Sequence, residues 1–276
     1  MNMPESYISV EEISAEIQNG ALIGVPKEDG GVSMAVTRAL VRRAARNLRL
    51  VTLPTGSMQT DLLIGAGCVV EIETSGVALG EFGFAPCFRR AAERCSVIVR
   101  DATCPAIHAE LQAAEKGIPF MPLRGLIGSD VLAHRPDWKV VDNPLAGGGD
   151  PIVLLPALRP DVALFHARYG DRFGNVWVGP RRETVLLAHA SARSFATVEE
   201  VIDGNLMEDE RMRAGTIPPV YIDAVALAPR GAWPMALYGG QGRDAEAIRD
   251  YATAARSEDG FVAWVARNVL DAQEAA

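Results

Sequence analysis

Apolar positions along the chain switch repeatedly between helical spacing and short continuous runs, the signature of alternating helices and strands. Ser9-Val10-Glu11-Glu12 reads as a helix N-cap with an acidic residue three positions on. It predicts a short amphipathic helix through Ile13 and Ile17 that stops at Asn19-Gly20. The run Ala21 to Val25 fits a buried strand, Pro26 to Gly31 a turn-rich loop, Val32 to Arg46 a helix and Leu48 to Leu53 a second strand. Helices follow near Thr60 to Ala66, from Pro86 to Arg94 and from Pro105 to Lys116, with strands at Val69 to Glu73 and Ser96 to Arg100.

Short buried strands are expected at Pro119 to Met121 and Lys139 to Asp142, framing an irregular stretch from Leu123 to Pro136. Ile152 to Leu155 and Asp161 to Ala167 are continuous apolar runs of the kind a parallel sheet covered on both faces requires. A helix from Thr184 to Ala192, a strand near Phe195 to Val198, a capped turn at Thr197-Val198-Glu199-Glu200 and a strand Val220 to Leu227 complete the core. Two helices, around Ala245 to Ala255 and Gly260 to Leu270, close the chain as a helical extension from about 241 to 276. The fold class is α/β: an open, mainly parallel sheet with helices on both faces, its loops after strands gathered on one edge where a ligand binds.

Composition narrows the function. The 276 residues suit one domain able to bury a core. A hydrophobic fraction of 49% with 22% charged residues excludes disorder and coiled coil. The formal charge of −8, without a dense Lys/Arg tract, counts against nucleic acid or an anionic membrane as partner. No apolar run reaches membrane-spanning length and no secretory signal opens the chain, so a cytoplasmic location is expected. Cys68, Cys87, Cys95 and Cys104 lack zinc-ligand spacing and read as reduced buried thiols, so no metal is expected.

Four places carry candidate chemistry. In Pro26-Lys27-Glu28-Asp29-Gly30-Gly31, Gly30 and Gly31 would let backbone N–H groups approach an anion, or the segment is a solvated turn. It lacks the spacing of a phosphate loop. In Glu71-Ile72-Glu73-Thr74-Ser75-Gly76-Val77, the hydroxyl and glycine either floor a pocket for a substrate carbonyl or form only a turn, and Glu73 is a candidate acid, base or nucleophile. Arg168, Asp171, Gly174 and Asn175 suit a tight turn after His166, which reads as a hydrogen-bonded core histidine. Cys104 and His108, four apart on one helix face, are a candidate thiolate pair without a third orienting residue.

The order of further landmarks points to a family. Asp61-Leu62-Leu63-Ile64-Gly65-Ala66-Gly67, Thr74-Ser75-Gly76-Val77, Phe88-Arg89-Arg90, Gly117-Ile118-Pro119-Phe120-Met121-Pro122, Gly128-Ser129-Asp130 and Val140-Val141-Asp142-Asn143-Pro144 occur in sequence. They are followed by Arg159-Pro160-Asp161-Val162-Ala163, His166-Ala167, Gly174-Asn175 and Ala228-Pro229-Arg230-Gly231-Ala232. In this order the chain resembles the A (α) subunit of class I CoA-transferases, most closely that of the glutaconate CoA-transferase type. The resemblance implies the CoA-transferase (NagB/RpiA-like) fold and a heteromer with a B (β) subunit. It also implies a glutamate on that partner which carries CoA as a glutamyl thioester, moving it between small carboxylic or dicarboxylic acids.

Coenzyme A is then a substrate and no cofactor is held permanently. Ser75, Gly76 and Val77 match the segment that lines the acyl pocket in the family. The first loop departs from the family, reading Pro26-Lys27-Glu28 where Gly-Gly-Phe is usual and Ser33-Met34 where a basic residue and proline are common. Lys27 would supply a charge, Glu28 a local catalytic carboxylate, and Gly30 and Gly31 the backbone donors. An acyl-CoA hydrolase of the same fold, including the type that opens cyclic diketone CoA esters, is the alternative, as is a non-catalytic partner chain.

Overall fold

Ser9 opens the first helix through a closed capping box. Its hydroxyl accepts from the Glu12 N–H at 3.1 Å, the Glu12 carboxylate accepts from the Ser9 N–H at 2.7 Å, and α1 (Val10–Glu16) follows. The computed structural model describes residues 7–27 and 30–271. Four strand-helix repeats come next: β1 (Leu22–Pro26) with α2 (Met34–Arg42), β2 (Leu48–Leu53) with α3 (Met58–Gly65), β3 (Val69–Thr74) with α4 (Pro86–Glu93), and β4 (Ile98–Asp101) with α5 (Cys104–Glu115).

The middle of the chain departs from the expected pattern. β5 (Phe120–Leu123), β6 (Lys139–Asp142) and β7 (Pro151–Pro156) form a separate antiparallel sheet in the order β5-β7-β6. The run Ile152 to Leu155 therefore does not enter the parallel sheet. The flanking strands are not buried either: every residue of β6 is exposed, and β5 alternates exposed with half-buried positions.

The chain then returns through β8 (Val162–Asp171), β9 (Val176–Trp177), α6 (Arg182–Ala190), β10 (Arg193–Ile202), β11 (Thr216–Ile217) and β12 (Ala224–Leu227), and closes with α7 (Ala245–Ala254) and α8 (Glu258–Val265). The expected capped turn at Thr197 to Glu200 lies inside β10, where its hydroxyl and carboxylate serve side chains of β8 instead of a helix end.

The parallel strands order as β12-β10-β8-β1-β2-β3-β4, and the far end of β8 turns back into the antiparallel β9 and β11. Two apolar clusters cover the sheet. One joins Ile13, Leu40, Leu62 and Ile72 to Tyr251 and Trp264 of the closing helices. The other joins Ile107, Val153 and Phe165 to Leu187. The closing helices are keyed to the body by the Tyr251 hydroxyl, which donates to the buried Asp61 carboxylate at 2.6 Å. Cys68 and Cys87 are buried as expected, whereas Cys95 and Cys104 are exposed at a helix end and a helix start; all four are free thiols.

One feature of the sheet positions the site. β8 pairs with β1 only at Val162 and Ala163, then follows β10 as far as Asp171. The carboxyl edge thus opens between β1 and β8, at the kind of switch point where open α/β sheets bind ligands.

Candidate functional site at the carboxyl edge of the sheet

The turn after β1 fills the gap between β1 and β8. Lys27 Nζ lies 3.5 Å from the Glu183 carboxylate at the start of α6, and the Thr184 hydroxyl donates to the Gly30 carbonyl at 3.2 Å. The Gly30 N–H donates to the Lys27 carbonyl at 2.8 Å and is therefore consumed inside the turn. Gly31 has φ +89°, and its carbonyl accepts from the His166 N–H at 2.6 Å. Glu28, the candidate local carboxylate, lies outside the described residues, as does Asp29.

Behind the turn runs a buried polar chain. His166 Nδ1 is 2.7 Å from the Thr197 hydroxyl, Nε2 is 2.8 Å from the Glu199 carboxylate, and the Thr197 hydroxyl is 2.9 Å from that of Ser33. The partners assign the protons: Nε2–H donates to Glu199, so Nδ1 accepts from Thr197, which accepts in turn from Ser33. The second Glu199 oxygen accepts from the Arg230 N–H at 2.7 Å. Burial holds the His166 imidazole below its ordinary value against the pull of Glu199, so it is neutral. Burial pushes Glu199 up, but the hydrogen bonds from His166 and the Arg230 N–H outweigh it and hold the carboxyl below its usual range.

The sign of the acid response follows. A histidine held neutral in the fold stabilises above its unfolded value of 6.5, and that contribution is lost as pH falls below it. Unfolding free energy should drop by up to about 1.4 kcal/mol per pH unit below that point, measured by urea titration between neutral and mildly acid pH. His166→Asn should remove that slope; an unchanged slope in the variant refutes the assignment.

Ser75, Gly76 and Val77 sit on the same edge, two strands from β1. The Ser75 N–H and hydroxyl both donate to the Pro54 carbonyl, at 3.1 and 2.9 Å. Gly56 N–H donates to the Gly76 carbonyl and Ala78 N–H returns a bond to Gly56. These bonds lock the loops after β2 and β3 together, with Ser75 and Gly76 half-buried and Val77 buried beneath.

Glu73 lies inside β3 just before this loop. Its carboxylate is buried 2.8 Å from Arg135 Nη1, within a cluster that pattern reading missed. Arg135 also donates to both carboxylate oxygens of Asp137, at 3.1 and 2.8 Å, and to the Asp101 carbonyl. Its guanidinium stacks 3.8 Å above the Trp138 ring, whose N–H donates to Glu110 at 2.7 Å. Burial, reinforced by the Glu73 charge, pushes the Glu110 carboxyl up to about 9, so it is protonated at neutral pH.

The remaining candidates resolve locally. Asp171 accepts from the N–H groups of Phe173, Asn175 and Leu206, which makes this segment the hairpin between β8 and β9. Cys104 Sγ lies 3.8 Å from His108 Nδ1, which is 2.9 Å from the Cys104 carbonyl. A ring nitrogen donating to that carbonyl cannot accept the thiol proton, so the imidazole is turned away from a base role. No cluster of three or more metal-ligating side chains occurs among the described residues. No helix there is long and apolar enough to cross a membrane. Next to the first turn, a cleft of about 780 Å³ runs between α5 and α6, bounded by His108, Glu183, Arg182, Arg211, Trp177 and Tyr238.

Residues 7–228 match the family model described as Coenzyme A transferase. The chain is 28% identical to the A subunit of the 3-oxoadipate CoA-transferase of Pseudomonas knackmussii, over 95% of this chain and 93% of that protein. It is 30% identical to the cholesterol ring-cleaving hydrolase IpdA subunit of Rhodococcus jostii, over 95% and 91% of the two chains. It also matches a longer uncharacterized protein of Archaeoglobus fulgidus at 30% identity, of which it spans 58%. Among solved structures, glutaconate coenzyme A-transferase of Acidaminococcus fermentans superposes with TM-score 0.88 at 25% identity, over 97% of this chain and 89% of that one. A variant of the decarboxylase AibA/AibB does so with TM-score 0.84 at 30% identity, over 97% and 100%.

Proposed function

The chain belongs to the Coenzyme A transferase family, and from that premise we propose that it is the A (α) subunit of a heteromeric enzyme that moves CoA between small carboxylic or dicarboxylic acids. The observation that carries this reading is how the acidic side chains at the carboxyl edge are used. Glu73 is held by Arg135, Glu183 faces Lys27, and Glu199 is held by His166 and the Arg230 N–H. These three carboxylates are engaged within the chain, which agrees with the family resemblance, by which the covalent carboxylate is carried on a B (β) subunit facing this edge.

In that scheme a partner glutamate attacks the acyl-CoA carbonyl and the CoA thiolate leaves, giving a mixed anhydride. The thiolate then attacks the glutamyl carbonyl, releasing the first acid and leaving a glutamyl thioester. A second acid repeats the steps in reverse and departs as its CoA ester. This chain contributes the Ser75-Gly76-Val77 wall and the Lys27 to Gly31 turn.

Labelled CoA should therefore exchange between two carboxylates when the chain is co-expressed with its B-type partner. Ser75→Ala removes the hydroxyl bond that fixes the loop to Pro54 and should lower kcat/KM roughly tenfold, the worth of about one hydrogen bond. Glu28→Gln separates a local carboxylate from the partner's. Turnover unaffected by both substitutions would overturn the placement of the site on this chain.

A second reading comes from a relative and from the altered first loop. The Gly30 N–H is spent on the Lys27 carbonyl, which removes a backbone donor from the place where an oxyanion would be stabilised. An acyl-CoA hydrolase, in line with the hydrolase activity named for the IpdA relative, uses water in place of the acceptor acid. Release of free CoA without any acceptor would identify it.

A further inference from the structure

We propose that Arg168 and Arg181 form an oxyanion subsite behind the Gly30-Gly31 turn, for a carboxylate or phosphate borne on a molecule whose apolar body lies along Trp177 and Tyr238. The Nε atoms of both arginines are buried and have no hydrogen-bond acceptor among the described residues. Their acids among the described residues are distant for guanidinium pairs: Glu200 at 3.6 Å from Arg168 and Glu183 at 3.9 Å from Arg181, the latter already facing Lys27.

Aromatic faces flank the two groups as well. Arg168 lies 5.0 Å from the Tyr169 ring and Arg181 lies 6.0 Å from that of Tyr238. The rings of Tyr169, Trp177 and Tyr238 follow one another at 5.7 and 5.9 Å. Both arginines line a single void of about 10 Å³ against Gly30 and Gly31. That void shares Trp177 and Tyr238 with the 780 Å³ cleft, so the two adjoin at these rings.

A buried donor without an acceptor is costly. One water, which the void can hold, meets the N–H groups but adds no negative charge beside two guanidiniums whose ion pairs are long. An anion oxygen meets both needs, and the planar fork of arginine matches carboxylate and phosphate alike. The rest of the molecule stays in the cleft. The subsite rests on the proposed function only for the source of the anion: the distal carboxylate of a dicarboxylic acyl group or a phosphate of CoA.

Isothermal titration of the full chain with glutarate, valerate and adenosine 3′,5′-bisphosphate tests it. Glutarate should bind and valerate, which lacks the second carboxylate, should bind at least about tenfold more weakly. Arg168→Gln and Arg181→Gln should each weaken glutarate about tenfold or more. Arg168→Lys and Arg181→Lys, which keep the charge and lose the Nε donor, should weaken it less while melting as the unaltered protein does. Arginine-dependent binding of the bisphosphate in place of glutarate supports the subsite and assigns its anion to CoA. Equal binding of glutarate and valerate, affinities indifferent to all four substitutions, or no binding of any probe overturns it. CoA exchange by the unaltered complex is the separate test of the transferase reading, so the two fail independently.

Discussion

Arg135→Leu should lower the free energy of unfolding by about 3–5 kcal/mol, the cost of leaving buried charge without its partner. The side chain is 2% exposed and faces Glu73, Glu110 and Asp137, so its removal leaves the buried Glu73 carboxylate with no cation. The cation stack on Trp138 and the bond to the Asp101 carbonyl disappear with it, loosening the ends of β3 and β4 together. Denaturant titration at neutral pH measures the loss, and a change below about 1 kcal/mol would show the cluster to be an ordinary surface pair.

The pH dependence runs opposite to that of His166. Glu110 is raised from 4.5 to about 9, so its contribution is fully present below 4.5 and is lost as pH rises through 9. Glu110→Gln keeps the shape of the protonated acid and should flatten that alkaline decline, whereas Glu110→Ala leaves the Trp138 N–H unpaired.

Gly31→Ala should be the other severe change. A methyl group there would lie 2.0 Å from the His166 carbonyl oxygen, and the residue sits at φ +89°. Backbone faces backbone, so no side chain can swing away. The expected loss is about 3 kcal/mol or more, above the 1–3 kcal/mol of left-handed strain alone, with turnover lost as the turn shifts. Gly67→Ala is the control: φ +71° with nothing within 4 Å of the new carbon, so only the strain of about 1–2 kcal/mol applies. Equal melting temperatures for the two variants would contradict the close approach.

The parts of this architecture that sequence pattern reveals are those decided by neighbours in the chain. The Ser9 and Glu12 capping box and the strands β1 to β4 depend on residues a few positions apart, and all are readable in order. Ile152 to Leu155 misleads because a continuous apolar run looks the same in a parallel core strand and in the central strand of a small antiparallel sheet. Thr197 to Glu200 misleads because a capping motif and a strand that presents a hydroxyl and a carboxylate share one spelling.

The site shows the same division. Ser75 is readable as a strand-end residue, but nothing local says that its neighbour Glu73 faces Arg135, 62 positions away. Arg135, Glu110 and Trp138 carry no periodic signal, since their partnership exists only once the segment after β5 folds back over α5. Arg168 stands out in a turn-like segment, but its pairing with Arg181 needs the hairpin of β8 and β9 to bring them together.

The brief pairing of β8 with β1 also provides an isotope clock for the turn. Past Ala163 the β1-facing side of β8 pairs with no strand among the described residues, and the His166 N–H donates to the Gly31 carbonyl of the turn. Its neighbours in the ladder exchange with deuterium only when the sheet opens, but this proton becomes available whenever the turn lifts, without any unfolding of strands. One amide therefore times the motion of the loop at the substrate edge, separately from the stability of the sheet that carries it.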